Sequence, residues 1–415
     1  MNMLIKRFEQ LSSWQRALLF AGSGLFALAV TREVAGAPDL TSGSTFIATL
    51  AATAPILLVA LGGLYSERAG VVNIGLEGMM VLGTWFAAWA GWHWGPWAAL
   101  IGGAVGGMLG GLLHALATVT FGVDHIVSGV AINFIAPGIA RFLSSEIFVG
   151  QGSNGEGTIT TSPAIKKPMG KFTFPGLADG LKTIDKKRWF FVSDVAGAAR
   201  SFVDSVAWST VLALTLVPVT IYVLWHTPFG LRLRSVGEKP EAAESLGVGV
   251  YRLKYIALAI SGALAGLGGA WLVVDIRQYS EGQTAGRGFL GLAALIFGNW
   301  QPIGLALGAA LFSYGISLQQ AVGTKPIKAL YLFIAAAFLT MCIFIAVRGG
   351  SRKAVVGLAV ATCGLFSYYL TTDKVNNQIV YITPYVIVLV VVTFAASRSR
   401  PPAAAGLPWR PGQST

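Results

Sequence analysis

Residues 227–254 read TPFGLRLRSVGEKPEAAESLGVGVYRLK and form a charged interruption in an otherwise mostly apolar chain. Pro240 suits the first turn of a helix, where its missing N–H group is no loss, and Gly247 suits the position just past the end. The carboxylates of Glu241 and Glu244 favour the positive end of a helix dipole. The pattern therefore predicts a helix of about two turns, roughly 10 Å long.

This helix has one small apolar face. Ala242, Ala243 and Leu246 recur at helical spacing, so the sequence predicts that they lie on one side. Such a face suits a shallow groove on another protein. Read from the pattern alone, the alternative is a solvated loop helix between two membrane spans.

The segment EAAESLG resembles the E-A-A-x-x-x-G core of a loop in the permease subunits of ABC importers. In that family the loop carries a short coupling helix that docks on the ATPase subunit. Where many importers continue to I-x-L-P, this chain has Ala257, Leu258 and Ala259, which favours the sugar and nucleoside branch over the maltose-like branch. The resemblance implies a coupling role for Glu238, Pro240, Glu241, Ala242, Ala243, Glu244, Leu246 and Gly247.

The composition is that of a polytopic membrane protein. Of the 415 residues, 54% are hydrophobic and 12% are charged, against roughly 25% charged in ordinary soluble domains. The 30 Lys and Arg exceed the 18 Asp and Glu, but they sit mainly in loops and at both ends. Membrane topology and lipid headgroups account for them, so we expect lipids and no nucleic acid as partners. Cys342 and Cys363 fall in apolar stretches and favour neither a disulfide scaffold nor a metal site.

Twelve apolar runs are long enough, or nearly so, to cross a hydrocarbon core of ~30 Å. The run at 289–297 is short enough for a half-helix, and residues 277–287 before it suit a re-entrant segment. Ala35-Gly36-Ala37 has the form of a signal-peptide cleavage site, but Arg32 and Glu33 interrupt it, so we retain the first run as a span. We predict an all-α transmembrane bundle of about 10–12 spans in a single domain, residues 1–415. The runs are 17–30, 45–64, 75–91, 97–120, 125–148, 206–225, 255–274, 289–297, 302–318, 327–347, 355–370 and 379–396.

The distribution of Lys and Arg predicts the orientation. With the N-terminus inside, the 227–254 loop, residues 348–353, Arg398 and Arg400 all fall in the cytoplasm, and residues 150–205 fall outside. We therefore expect a multi-pass protein of the inner membrane with both termini cytoplasmic. The loop at 150–205 is a docking surface for a binding protein or a variable loop of no specific role.

The fourth run carries two glycine ladders with a spacing of four residues. Such ladders let another backbone approach closely, and they favour helix packing over a ligand role. The ladders are Gly102-Gly106-Gly110 and Gly103-Gly107-Gly111.

Residues 65–80, YSERAGVVNIGLEGMM, place Glu67, Arg68, Asn73 and Glu77 between two apolar spans. Polar groups there are costly in lipid, so we expect them to face a cavity, a partner or water. Read without analogy, they form a plain cytoplasmic turn closed by a Glu67–Arg68 pair.

The stretch ERAGVVNIGLEGMM is characteristic of one of the two permeases in nucleoside importers of the ABC class, also described as simple-sugar permeases. Together with GLRLRSVGEKPEAAE it extends the resemblance over residues 50–318, and again through Pro384-Tyr385. The resemblance implies a permease fold like that of type II ABC importers. The runs within 327–370 depart from the family's ten-span core and look like an inserted helix pair.

The resemblance also implies partners and a substrate path. The partners are ATPase subunits, a second homologous permease and an extracytoplasmic binding lipoprotein, and the path lies between the two permeases. Asn133 has a structural alternative, as an amide that hydrogen-bonds a neighbouring helix. Asn299 and Trp300 have the alternative of simply marking the end of a helix. The Trp300 ring would suit stacking on a base or a sugar. By position we nominate Asn73, Glu77, Asn133, Asn299 and Trp300 for substrate contact.

The sequence disfavours an enzyme. No G-x-x-x-x-G-K-[ST] loop occurs, so we expect no cofactor on this chain and ATP with Mg²⁺ on a partner subunit. His93, His114, His125 and His226 lack metal-site spacing, and no G-x-S-x-G elbow occurs. The leading hypothesis is a nucleoside permease of an ABC importer, with a simple-sugar permease as the alternative. An ion-driven secondary carrier is less favoured, because no internal repeat is evident and Arg141 is the one plausible charge within a run.

Overall fold

A computed structural model describes residues 13–150, 161–320, 325–347, 351–372 and 400–410, with single positions between 375 and 389. Most of the predicted run at 379–396, residues 151–160 of the predicted outer loop, Arg348 and Arg398 lie outside the described residues. Besides the α-helices there are a 3₁₀ turn at Pro38–Thr41, a π turn at Leu116–Thr120, and the paired strands β1 (Lys171–Phe172) and β2 (Val206–Ala207). The helices are α1 (Ser13–Ala35), α2 (Gly43–Arg68), α3 (Leu76–Trp94), α4 (Pro96–Ala115), α5 (His125–Ile147), α6 (Leu177–Lys186), α7 (Val192–Arg200), α8 (Trp208–His226), α9 (Pro228–Glu238), α10 (Pro240–Ser245), α11 (Val250–Ile276), α12 (Arg287–Phe297), α13 (Pro302–Gln320), α14 (Lys325–Val347) and α15 (Arg352–Thr371).

The helices confirm the predicted all-α membrane architecture. In the part of the chain that the structure describes, eight are long and apolar enough to cross a membrane: α2, α4 with its π turn, α5, α8, α11, α13, α14 and α15. Helix α12 has only 11 residues, about 16 Å of rise, which is too short to cross. It therefore fits the predicted half-helix. The chain is a multi-pass membrane protein.

The chain divides into two compact units. The first comprises Met1–Leu50, Phe172–Val206 and Tyr314–Ile387, and the second comprises Ala51–Lys171, Ala207–Ser313 and Val388–Thr415.

In the first unit, an apolar cluster joins the 3₁₀ turn to the end of α13 and the start of α14. Leu40, Leu318 and Ile327 are fully buried in it, and the Tyr314 hydroxyl donates a hydrogen bond to the Leu40 carbonyl at 2.6 Å. The bond satisfies a carbonyl that a short 3₁₀ turn leaves without a helical partner.

Residues 172–205 of the predicted outer loop, with helices α6 and α7, also belong to the first unit. Asp194 of α7 is fully buried and accepts hydrogen bonds from Arg32 at 2.6 Å and from Thr41. Burial of a carboxylate is tolerated here because a guanidinium pairs with it. The loop is therefore held against the end of α1 by a buried ion pair.

Helices α3, α4 and α11 form the core of the second unit, with α4 packed against both of the others. A Cβ atom on Gly107 would overlap the carbonyl oxygen of Gly262 in α11, and one on Gly106 would lie 2.7 Å from the Phe86 ring in α3. One ladder therefore faces α11 and the other faces α3. The predicted packing role of the ladders is confirmed, because only glycine permits these approaches.

At the far end of α11 from the 227–254 loop, the first described residues of the outer loop pack on the second unit. The Tyr279 N–H donates to the Ser162 hydroxyl at 2.9 Å, and the Ile165 N–H donates to the Arg277 carbonyl at 2.7 Å. Trp85 stacks on Phe148 beside them, with ring centroids 5.4 Å apart. The two loops thus lie at opposite ends of this unit.

Candidate functional site

The predicted coupling helix is present as α10, Pro240–Ser245. It begins at Pro240 as expected. It has 6 residues, somewhat less than the predicted two turns, since Leu246 already leaves the helical conformation. Gly247 follows with φ +79°, in the left-handed region where a side chain is strained. The glycine thus ends the helix and turns the chain towards α11.

The structure divides the predicted apolar face of α10. Ala243 is 2% exposed and packs in a cluster with Val236, Val250 and Leu253. Leu246 is 84% exposed, and Ala242 also points outward. The surface open to a partner therefore contains Ala242 and Leu246, whereas Ala243 belongs to the interior. Of the other nominated coupling residues, Pro240 is buried, Glu241 and Glu244 are half-buried, and Glu238 and Gly247 are exposed.

Residues 400–410 lie beside the coupling helix, and we call them the C-terminal segment. The Ala404 N–H donates to the Gly237 carbonyl at 2.9 Å, and the Ala403 N–H donates to the Glu238 carboxylate at 3.2 Å. The segment therefore lies at the same end of the second unit as the 227–254 loop. Sequence reasoning gave this segment no role, although its single Trp409 among Pro, Ala and Gly was a usable signal.

Trp300 links the end of α2 to the turn between α12 and α13. Its indole N–H donates to the Glu67 carboxylate at 2.6 Å, and its carbonyl accepts from the Arg68 guanidinium at 2.7 Å. Arg68 also lies 4.0 Å from Glu238, the last residue of α9. Glu67 and Arg68 therefore meet through Trp300, and the plain turn closed by a Glu67–Arg68 pair is not what forms.

The backbone of Asn299 and Trp300 makes the tight turn between α12 and α13. Their φ angles are +51° and +53°, both in the left-handed region, which is uncommon for a tryptophan. The Asn299 side chain accepts a hydrogen bond from the Arg400 N–H at 2.7 Å, so the C-terminal segment also binds this turn.

Glu77, in the first turn of α3, binds the start of the half-helix α12. Its two carboxylate oxygens accept from the N–H groups of Gly286 at 3.1 Å and Gly288 at 2.6 Å. A carboxylate at a helix N-terminus is favoured by the dipole and satisfies N–H groups that have no helical partner. Glu77 therefore occupies the anion site that the start of α12 offers.

Asn133 and Asn73 hold the connection between α2 and α3. The Asn133 amide donates to the Ile74 carbonyl at 2.9 Å and accepts from the Gly78 N–H at 2.8 Å. These bonds agree with the structural alternative for this residue, an amide that hydrogen-bonds a neighbouring element. The Asn73 amide donates to the Ser261 hydroxyl at 2.9 Å. Asn73 is fully buried, and its carbonyl oxygen has no hydrogen-bond partner among the described residues.

The five nominated substrate residues thus fall into two groups. Asn73, Glu77 and Asn133 lie at the connection between α2 and α3, whereas Asn299 and Trp300 lie with Glu67 and Arg68. Trp300 is 5% exposed, so its ring offers no open stacking face in this conformation. The carbonyl oxygen of Asn73 is fully buried and has no hydrogen-bond partner among the described residues.

Two histidines whose spacing in the sequence does not match a metal site both contact the backbone of Val72. His114 contacts the Val72 carbonyl through Nε2 at 3.1 Å and the Ser128 hydroxyl through Nδ1 at 2.9 Å, and His125 accepts from the Val72 N–H at 3.4 Å. Among the described residues, no group of three or more His, Cys, Asp or Glu is placed to hold a metal ion. The pair serves the backbone of the α2–α3 connection.

The first unit offers a second feature, a cavity of about 590 Å³ with charged walls. Arg200 in its lining bonds Asp185 at 3.3 Å and Asp204 at 2.8 Å. Partial burial raises the pKa of Asp204, but hydrogen bonds from Arg200 and Ser205 outweigh that effect and hold the pKa below its usual range. The walls also include Arg32, Asp39, Lys186 and Arg188.

The family model for the permease component of branched-chain amino acid transport systems matches residues 45–347. The chain is 38% identical to the guanosine ABC transporter permease protein NupQ of Bacillus subtilis, over 71% of this chain and 88% of that protein. It is 35% identical to the nucleoside ABC transporter permease protein NupC of Lactococcus lactis, over 70% and 87%. It is 34% identical to the putative glucose ABC transporter permease protein TsgC13 of Haloferax volcanii, over 66% and 75%. No solved structure matches the chain.

Proposed function

The chain belongs to the family of permease components of branched-chain amino acid transport systems, and from this premise we propose that it is the permease subunit of an ABC importer for nucleosides. The observation that carries the proposal is the 38% identity to a guanosine permease over 88% of that protein's length. The nucleoside permease NupC supports it at 35% identity. The second candidate is a simple-sugar permease, because the putative glucose permease TsgC13 is 34% identical.

Permeases of this family work with an ATPase subunit and a substrate-binding protein. We propose that the complex also holds a second, homologous permease, with the substrate path between the two permeases near the bilayer middle. In this proposal ATP and Mg²⁺ bind the ATPase subunits, and this chain binds no cofactor. The buried carbonyl oxygen of Asn73 supports a place for that residue near the path, since it can accept from a substrate hydroxyl or amine.

We further propose that α10 docks on the ATPase subunit through Ala242 and Leu246. Movement of α10 would pass directly to α9 and α11, which flank it in the chain. From α9 it would reach α2, because a Cβ atom on Gly237 would overlap the carbonyl oxygen of Arg68. Arg68 in turn binds Trp300 at the α12–α13 turn. This chain of contacts gives ATP-driven movement a route to the half-helix.

The proposed orientation puts the chain in the inner membrane, with the 227–254 loop and both termini in the cytoplasm and residues 150–205 outside. Two observations support it. The C-terminal segment bonds the 227–254 loop, and residues 162–165 pack at the other end of α11. The charged cavity beside α6 and α7 supports the outer loop as a docking surface for the binding protein, with a variable loop as the alternative.

The proposal is tested by ATP hydrolysis in the assembled complex. The chain is purified with its co-expressed ATPase and second permease, placed in lipid, and mixed with the binding protein. We expect guanosine, adenosine and uridine to stimulate hydrolysis, and glucose and ribose to leave it at the basal rate. Stimulation by the sugars alone would transfer the assignment to the sugar branch.

A matched variant tests the docking surface in the same preparation. Leu246→Arg places a charge on the exposed apolar residue of α10 without touching the interior, so the chain should fold and lose its ATPase partner on purification. A wild-type chain that never co-purifies with an ATPase, yet transports nucleosides in a manner abolished by an uncoupler, would contradict the importer in favour of an ion-driven carrier.

A further inference from the structure

We propose that the C-terminal segment, residues 400–410, is a positioning element that ties the coupling helix α10 to the Glu67–Trp300 pair and thereby sets how much transport each ATP yields. The inference rests on the proposed importer function. It assigns a role to a stretch that carries no recognisable motif and that consists mostly of Pro, Ala and Gly, with Trp409 near its end.

The middle of the segment joins the backbones of α9 and α2. The Ala404 N–H donates to the Gly237 carbonyl at 2.9 Å, and the Gly406 N–H donates to the Gly70 carbonyl at 3.2 Å. A Cβ atom on Gly70 would lie 3.3 Å from both the Ala404 carbonyl oxygen and the Gly237 Cα. Three backbones therefore run side by side. The segment donates one hydrogen bond to a carbonyl in the last turn of α9 and one to a carbonyl just past the end of α2.

One end of the segment packs against the apolar cluster that lies on the inner side of the coupling helix. Trp409 packs in the cluster that contains Ala243, which is the inward-facing alanine of α10. Its ring also meets Tyr251, at the start of α11, edge to face with centroids 5.4 Å apart. A tryptophan supplies a large contact area with few rotatable bonds, so it fixes the position of what it contacts.

The other end of the segment reaches the half-helix turn. The Arg400 N–H donates to the Asn299 side chain at 2.7 Å, and the next residue, Trp300, donates to Glu67 and accepts from Arg68. Midway, the Ala403 N–H donates to Glu238, which also lies 4.0 Å from Arg68. The segment thus contacts every element that links α10 to the α12–α13 turn.

This arrangement predicts loss of coupling rather than loss of assembly when the segment is loosened. The outward face of α10 keeps Ala242 and Leu246, so the ATPase can still dock. What is lost is the fixed distance between α10 and the ends of α2 and α12, and movement of α10 is then absorbed locally. A positioning element is distinguished from a merely structural one by this separation of hydrolysis from transport.

The test is the number of guanosine molecules transported per ATP hydrolysed, measured in vesicles that contain the full complex and the binding protein. For Trp409→Ala we expect unchanged co-purification of the ATPase and a ratio lower by about fivefold or more, the lower end of couplings between distinct sites. Trp409→Phe keeps an aromatic ring against Tyr251 and should restore most of the ratio. Leu407→Ala, at a 59% exposed residue of the same segment, is the matched control and should leave the ratio unchanged.

A wild-type ratio in Trp409→Ala would overturn the inference, as would an equal fall in Leu407→Ala. If Trp409→Ala does not assemble, Ala403→Pro decides instead, because it removes the N–H donor to Glu238 and leaves the Trp409 contact intact. A wild-type ratio in that variant would then overturn the proposal. Failure of the importer function itself is distinguishable, since the wild-type complex would then show no guanosine-stimulated hydrolysis.

Discussion

The Glu77 carboxylate accepts hydrogen bonds from backbone N–H groups at the start of a helix that begins more than two hundred residues later. A helix that starts inside the membrane has N–H groups without partners, and lipid supplies none. The carboxylate accepts from Gly286 and Gly288, and Gly288 approaches so closely that a Cβ atom would lie 2.5 Å from the Glu77 Cα. The Glu77 side chain therefore both positions the start of α12 and neutralises the partial positive charge there.

We predict that Glu77→Ala destabilises the protein and lowers nucleoside uptake. Each buried N–H left without a partner costs about 1–3 kcal/mol, and the charge at the start of α12 is lost as well. The apparent Tm in detergent and the initial uptake rate are the measurements. Glu77→Gln retains one acceptor oxygen and should lie between Glu77→Ala and the wild type.

Glu146→Ala is the matched control for this prediction, because it removes an exposed glutamate near the end of α5. Its Tm and uptake should stay at the wild-type values. A wild-type Tm for Glu77→Ala would show that Gly286 and Gly288 find other acceptors and that Glu77 does not hold the half-helix.

The polar residues of the site were visible in the sequence, but their partners were not. Polar residues at 67–77 stand out because polar groups are costly next to apolar spans, so the sequence alone singles out Glu67, Asn73 and Glu77. Trp300 was nominated as a stacking surface, whereas its indole N–H is used on Glu67. Contacts across more than two hundred positions leave no local pattern, and a single chain gives no signal for Ser261 as the partner of Asn73.

Helix α4 is the element on which the packing of the second unit depends. Its Gly107 faces α11 at Gly262 and Gly266, and its Gly106 faces the Phe86 ring of α3. Without side chains at these positions, the three backbones come close enough for dispersion contacts to replace a hydrophobic driving force that lipid does not provide.

We predict that Gly107→Leu prevents this packing. The new side chain would overlap the backbone of α11, which cannot move aside as a flexible side chain would, so the cost should exceed the ~1–3 kcal/mol of ordinary overpacking. The measurement is the yield of monodisperse protein on size exclusion after extraction. Gly138→Ala in α5 is the matched control, because nothing lies within 4 Å of the added Cβ atom.

In that control, alanine should maintain the yield and raise the Tm slightly, since it is favoured over glycine within a helix by roughly 0.5–1 kcal/mol. A normal yield for Gly107→Leu would mean that α4 and α11 are not in contact along this face.

The elements were more predictable than the site because their signals are local. Pro240 and Gly247 mark the start and end of α10, the ladder spacing of four residues marks a packing face, and the short run at 289–297 marks the half-helix. Periodicity did not assign Ala243 correctly, since a six-residue helix has too few turns to show which face is covered. The C-terminal segment has no period at all, so its contacts with Gly237 and Gly70 were beyond sequence reasoning.

The proposed orientation of the whole chain rests on what lies at each end of α11. This helix has 27 residues, about 40 Å of rise, which exceeds the ~30 Å hydrocarbon core. The 227–254 loop and the C-terminal segment precede or flank its start, and residues 161–169 pack against the turn after its end. Basic residues near the start of α11, including Arg232, Arg234 and Arg252, favour the cytoplasm for that end.

We predict that single cysteines at the two ends are labelled from opposite sides of the membrane. In a background with Cys342→Ala and Cys363→Ala, Lys166→Cys and Leu246→Cys both place a thiol at an exposed position of the second unit. A membrane-impermeant maleimide should label Lys166→Cys in intact spheroplasts and Leu246→Cys only after permeabilisation. Co-expression of the ATPase should then protect Leu246→Cys, because that residue lies on the proposed docking face. Labelling of Leu246→Cys in intact spheroplasts would invert the orientation, and with it the side from which ATP could drive α10.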